Sequence, residues 1–232
     1  MSLDPFPSLG LSVLLVANFF EDHTDSVASR VAVGLNKLGL AMKSQAWAGA
    51  GERGLTPTQG QILTLLRARG ERALRLTQVA EELAISAPTA SDSVRALVDK
   101  GLVRKARAKD DARAVALELT TSGQSEAAQA AAWPDFLLAA VDALTPAEQE
   151  LFLTSLIKMI GTLVERNVVP MQRMCVVCRH FQPNVHADRQ NPHHCTLVDA
   201  PLGLRQLRLD CPEHAPAEAA VRRHNLSAFA AR

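Results

Sequence analysis

A mainly α-helical protein is predicted, with one β-hairpin and one small irregular module, and three observations predict it. Ala and Leu dominate a chain with 4% aromatic residues and no Tyr, a composition that favours helix over sheet. Helix-start signatures stand at Thr56, Ser86 and Thr145, each followed by apolar residues at steps of three and four. All four cysteines fall within the 37 residues from Cys175 to Cys211, a polar stretch without helical period. At 232 residues the chain fits one or two domains with a sizeable core. Its formal charge of +1 argues neither for nor against nucleic acid, so any basic surface must be local.

Residues 1–24 form an N-terminal extension whose apolar run, Leu9–Phe20, is too short to span a bilayer. No Lys or Arg precedes it, so it lacks the basic start of a secretory signal. A short strand or helix packed on a dimer is expected there, with no membrane partner and a cytoplasmic location. From Val27 a stripe through Val31, Leu35, Leu38 and Met42 marks one face of a long amphipathic helix, ended by Gly-rich 49–54. Thr56-Pro57-Thr58-Gln59 is a capping box: Thr at the N-cap, Pro in the first turn, Gln three residues on. Ile62, Leu63 and Leu66 define the buried face, and Gly70 stops the helix. A short helix capped by Thr77 follows, with Val79, Ala80 and Leu83 inward, and then one opened by Ser86, with Val94, Leu97 and Val98 inward and Gly101 as its end.

Leu102–Lys105 and Arg113–Leu119 are strand-like runs around a charged tip, a β-hairpin signal. Thr120–Gly123 leads into an Ala-rich helix. Thr145-Pro146-Ala147-Glu148 is a second capping box, opening a helix with Phe152, Leu156, Met159, Ile160 and Leu163 on one side, running to about Asn167 before Pro170. The tail, residues 215–232, reads as a frayed terminal helix without assigned function.

Three short helices and a hairpin make a winged helix-turn-helix, and its third helix is the natural element for reading DNA. The outer face of its first half carries Ser86, Pro88, Thr89, Ser91, Asp92 and Arg95. Small hydroxyl residues allow close approach to a major groove, and Arg95 can reach a guanine edge or a phosphate. The hairpin tip adds Arg107 and Lys109, suited to tracking phosphates or entering the minor groove. Ser86–Arg113 holds seven Lys or Arg against four Asp or Glu, a local net of +3. A patch of that size alone is commonly a solvated face.

Residues 55–123 resemble the MarR family of bacterial transcriptional regulators. The resemblance is carried by Leu55–Gln59, by Leu76–Leu83, by Ser86–Leu102 with Leu97-Val98-Asp99-Lys100-Gly101-Leu102-Val103, and by the wing pattern Asp111-x-Arg113 followed by Leu119-Thr120-x-x-Gly123. With its flanking long helices it covers residues 25–168. One departure is Ala112, where the family usually has a basic residue, so the tip contact would rest on Arg107, Lys109 and Arg113, with Asp111 orienting Arg113. The resemblance implies an obligate homodimer through the first and last helices, reading a pseudo-palindromic duplex site. The apolar faces of 27–42 and 152–163 suit that role independently.

Residues 171–214 form the four-cysteine module. Cys175-x2-Cys178 sets two thiolates on one tight turn, Cys195 follows after sixteen residues and Cys211 after fifteen more. In a chain without an export signal such thiols are expected to be metal ligands rather than disulfides. Four cysteines complete either a tetrahedral zinc site or the ligand set of a 4Fe–4S cluster. Zinc ribbons often use two knuckles, whereas Cys195 and Cys211 are solitary, which favours the larger cluster. The segment also resembles high-potential iron–sulfur proteins, through Cys175-Val176-Val177-Cys178-Arg179-His180-Phe181, Cys195-Thr196-Leu197 and a lone final Cys211 before Pro212; it departs from them in having few aromatic residues. His193, His194, His180 and His214 flank the thiols and are expected to support them rather than to ligate, with His194 the substitute should one cysteine lie apart.

The expected function is a homodimeric DNA-binding repressor whose activity responds to an iron–sulfur cluster or redox state. One alternative is a regulator with structural zinc and a small organic effector as inducer. Another is an iron–sulfur electron carrier; no nucleophile motif, phosphate loop or carboxylate pair supports an enzyme.

Overall fold

The computed structural model describes residues 26–70, 73–107, 115–131 and 135–231. Compactness divides the chain into two units, residues 1–45 and 46–232. The apolar run Leu9–Phe20 lies outside the described residues.

Helix α1, Val27–Gly51, crosses that division and ends inside the Gly-rich segment, where Gly54 takes the left-handed φ of 62°. In the first unit its apolar side chains, Val27, Val31, Val33, Leu38 and Met42, are exposed.

In the second unit, the winged helix is built element by element from local chemistry. Helix α2, Pro57–Ala68, begins with the reciprocal cap: Gln59 N donates to Thr56 Oγ1 and Thr56 N donates to Gln59 Oε1, each at 3.2 Å. Strand β1, Leu74–Arg75, runs straight into α3, Leu76–Glu82. Thr77 is therefore not the cap. Arg75 is held extended by its pairing with Ala116, so the helix starts at the next residue, and Gln78 Oε1 accepts from Arg75 N at 2.8 Å. The turn to the next helix passes through Ala84 with φ of 53°. Helix α4, Ala87–Asp99, starts at Ser86, whose Oγ accepts from Thr89 N, and ends before Gly101. At Gly101 the φ of 69° is one that side-chain-bearing residues adopt only with strain.

Strands β2, Val103–Arg107, and β3, Val115–Leu119, pair antiparallel with Val103 opposite Leu119, and β1 adds to the outer side of β3. Helix α5, Thr121–Ala130, is capped by Thr120, whose hydroxyl accepts from Gly123 N and donates to Gly101 O. A Cβ at Gly123 would sit 1.9 Å from Leu102 O, so only glycine lets α5 lie on the start of β2. Ile62, Leu63, Leu66, Val79, Val94, Leu97, Val103 and Leu117 form the common core. Each such side chain contributes about 1.5–3 kcal/mol on burial.

A short helix that periodicity did not announce, α6, spans Asp135–Asp142. Helix α7, Pro146–Glu165, opens with the Thr145–Glu148 box. Its two faces diverge. Leu153, Ile157, Ile160 and Val164 turn inward, whereas Phe152, Met159 and Leu163 stay exposed.

The cysteine segment is less irregular than its sequence suggests. A 3₁₀ turn, Cys175–Val177, precedes an antiparallel sheet of β4 (Phe181–Gln182), β5 (His193–Cys195) and β6 (Ala200–Leu202), and a second 3₁₀ turn follows at Leu204–Gln206. Its core joins Met174, Val176, Val177, Phe181, Leu202 and Leu207 to Ile157 of α7. The tail does not fray. Residues Ala219–Ala230 form α8, with Asn225 and Phe229 buried. Asn225 Nδ2 donates to Phe181 O, Lys158 Nζ to Ala230 O, and Arg222 pairs with Glu165 at 2.9 Å. Gly161 brings α7 and α8 together, since a Cβ there would meet Leu226 at 2.3 Å. These contacts fasten the module to α7. No helix among the described residues is long and apolar enough to cross a membrane.

Candidate functional site

The outer face of α4 follows from its inner one. Ala90, Val94 and Leu97 are buried, and the helical period turns Ser86, Pro88, Thr89, Asp92 and Arg95 outward, with Ser91 at the margin. Ser86 Oγ and Thr89 Oγ1 lie 2.8 Å apart, and Arg95 pairs with Asp92 at 3.3 Å with both side chains about 70% exposed. That pair is loose enough for either member to be recruited elsewhere.

Arg107 is exposed at the end of β2. Lys109, Asp111, Ala112 and Arg113 lie outside the described residues. Two cations of the local count are engaged within the domain. Lys100 Nζ donates to Gln59 Oε1 at 2.9 Å and to Gly54 O, and Arg104 pairs with Glu118 at 2.8 Å across the hairpin. Those two cations stabilise the domain itself.

The four cysteines arrive from separate elements: Cys175 in the 3₁₀ turn, Cys178 just after it, Cys195 at the end of β5 and Cys211 on the segment before α8. All four are free thiols lining one apolar cavity of about 30 Å³, with Phe181, Leu197 and Leu202 in its wall. Cys175 Sγ accepts from Arg208 N at 3.3 Å. Burial pushes the Cys175 thiol up from its ordinary value; the Arg208 N–H works against this, and the nearby Cys211, Cys178 and Cys195 add to it. Among the described residues, no three His, Cys, Asp or Glu are arranged to hold a single metal ion.

Backbone bonds hold the thiols' carriers firmly. Cys211 N donates to Arg173 O at 2.9 Å, and Arg173 Nε and Nη2 both donate back to Cys211 O. Of the flanking histidines, His180 borders the cavity and bonds Thr196. His193 is buried, its Nδ1 accepting from Asn184 N and its ring packed against Phe181 and Phe229. His194 lies between His186 and Asp199 at 3.2 Å from each. His214 is held below its ordinary pKa by burial and by Arg173.

Sequence reasoning missed Arg69, Arg173 and Asp210. Arg69 ends α2 with its guanidinium bonded both to Glu82 of α3 and to Asp210, the neighbour of Cys211. Partners 13 and 141 residues apart leave no local pattern.

A capped three-helix core with one helix turned outward beside an exposed hairpin defines the winged-helix class of DNA-binding folds. Residues 53–114 match the model of the MarR family. In three dimensions the chain is similar to Staphylococcus aureus MepR in complex with DNA, at 25% identity and TM-score 0.51 over 60% of this chain and all of MepR. It is likewise similar to S. aureus MepR in its DNA-binding conformation, at 26% identity and TM-score 0.52 over 57% of this chain and 98% of MepR. No curated protein matches. The similarity thus covers the winged helix, residues 53–114 matching the family model and the fold matching that of MepR.

Proposed function

We propose that this chain is a homodimeric MarR-type transcription regulator that binds double-stranded DNA through α4 and the wing, and that Cys175, Cys178, Cys195 and Cys211 hold a 4Fe–4S cluster that sets its affinity. The single observation that carries the DNA reading is the outward, hydroxyl- and Arg-bearing half of α4 on a fold shared with DNA-bound MepR. Ser86, Pro88, Thr89 and Ser91 bring that helix close to base edges. Arg95, released from Asp92, contacts a guanine or a phosphate, and Arg107, with Lys109 and Arg113 of the tip, neutralises phosphates. Exposed apolar side chains on α1 and on α7 supply surface for a second copy.

The cofactor reading is supported by four free thiols around one apolar cavity and by a backbone N–H aimed at Cys175 Sγ, the kind of donor that tunes a thiolate-held cluster. Apolar walls limit water at the sulfurs. A cluster held there supplies a one-electron redox change beside the DNA-reading domain. Repression follows if the favoured state occupies a promoter.

Protein purified without oxygen tests both halves. Four iron and four sulfide per protomer, a brown colour and salt-dependent retention of duplex DNA are expected. Colourless, zinc-loaded protein that still binds DNA would replace the cluster with a structural site, and protein that ignores duplex DNA at low salt would remove the regulator reading itself.

A further inference from the structure

We infer that Arg69 couples the four-cysteine pocket to the DNA-reading helices, so that the occupancy of the pocket shifts the position of α3 and α4. The inference rests on the reading of the four thiols as a cofactor site.

The geometry is a chain of alternating charges that begins next to one of those thiols. Asp210 immediately precedes Cys211. Its carboxylate accepts from Arg69 Nη1 at 3.0 and 3.1 Å and lies 3.4 Å from Arg173 Nε, the side chain that also grips Cys211 O. Arg69 Nε donates to Glu82 Oε2 at 3.0 Å, and its Nη2 bonds the same carboxylate. Glu82 is the last residue of α3, which packs on α4. Two guanidinium groups and two carboxylates thus run from a cysteine's backbone to the helix-turn-helix.

Arg69 is suited to transmit a displacement. Its side chain is only 6% exposed, whereas that of Asp210 is 54% exposed, so the buried guanidinium depends on its two carboxylate partners. The segment that carries Asp210 is tied to thiols at both ends. Cys175 N donates to Arg208 O, Arg208 N donates to Cys175 Sγ, and Cys211 is clamped to Arg173. A change in how Cys175 and Cys211 are held moves residues 208–211 as one piece. Arg69 then either follows Asp210 or keeps Glu82. The two choices give α3, and α4 with it, two positions.

The test uses the full chain, purified without oxygen, with operator affinity measured before and after the metal is removed by a chelator. For the unaltered protein a ratio of about tenfold is expected, within the roughly 5–150-fold range of allosteric coupling. Asp210→Asn should keep its iron and its colour and still bind DNA, while that ratio falls to within about twofold of one. Asp210→Glu should restore most of it, which a merely structural role for the position would not produce.

Should Asp210→Asn lose its iron, Glu82→Gln asks the same question from the far end of the chain of charges. Iron-loaded variants that keep the full ratio would overturn the coupling and leave the cofactor reading standing. Unaltered protein without any metal would overturn both.

Discussion

The winged helix and the cysteine module are held together in different ways. The first buries a large aliphatic cluster, including Ile62, Leu63, Val79, Leu97 and Val103, beneath capped helices and a paired hairpin. The second has strands of two or three residues, a smaller core around Val176, Val177 and Phe181, and four thiols about an apolar cavity. Its shape is kept by backbone bonds between distant segments, such as Cys211 to Arg173 and Arg179 to Ala215, and by α8 laid across α7. A fold with the first design stands on hydrophobic burial. One with the second would gain much of its stability from the proposed cofactor. The contrast separates the domain proposed to read DNA from the module proposed to hold a cofactor.

Breaking the module at its centre should have the largest effect. Cys178→Ser is expected to abolish metal retention and to open residues 175–211 to proteases while helices α2, α4 and α5 stay protected, read by metal analysis and peptide mapping. Equal protection of both regions in the variant would erase the contrast. Leu63→Ala, in the other core, should cost about 3 kcal/mol of helical stability in thermal or urea unfolding, since Leu63 is fully buried.

Two glycines sharpen the comparison from both sides. A Cβ at Gly123 would lie 1.9 Å from Leu102 O, and one at Gly203 would lie 1.9 Å from Gln190 O. Alanine at either site should cost roughly 2–3 kcal/mol because backbone must move. Gly123→Ala is expected to lower the helical melting temperature and DNA affinity together; Gly203→Ala should reduce metal content first. On the DNA-reading face, Arg95→Ala should weaken operator binding by about 1–3 kcal/mol and relax specificity, whereas Arg107→Ala should weaken all duplexes alike and lower the salt slope by about one. The smallest change is expected from Thr56→Ala, about 1 kcal/mol, through loss of the α2 cap.

The winged helix was legible because its signals are local. Thr56, Ser86, Thr120 and Thr145 each bond a backbone N–H three residues ahead, and such caps are written in adjacent letters. Thr77 misled because Arg75, two residues earlier, is fixed by a strand partner at Ala116 that the local pattern does not reveal. Helix α8 was underestimated for a similar reason. Its buried Asn225 is satisfied by Phe181 O, 44 residues away, so a polar letter in an Ala-rich tail sits in a core. The four cysteines, widely spaced in sequence, line one cavity because β5 and the two 3₁₀ turns bring their segments together. Arg69 and Asp210 carried no signal, since ion pairs between distant segments depend on the finished fold.

Coupling between the thiol pocket and DNA binding is measured by operator affinity on one anaerobic preparation before and after the metal is stripped, with dimer and helix content monitored throughout. An affinity that changes by about tenfold while the winged helix remains folded is expected. Identical affinity in the two states would contradict that coupling.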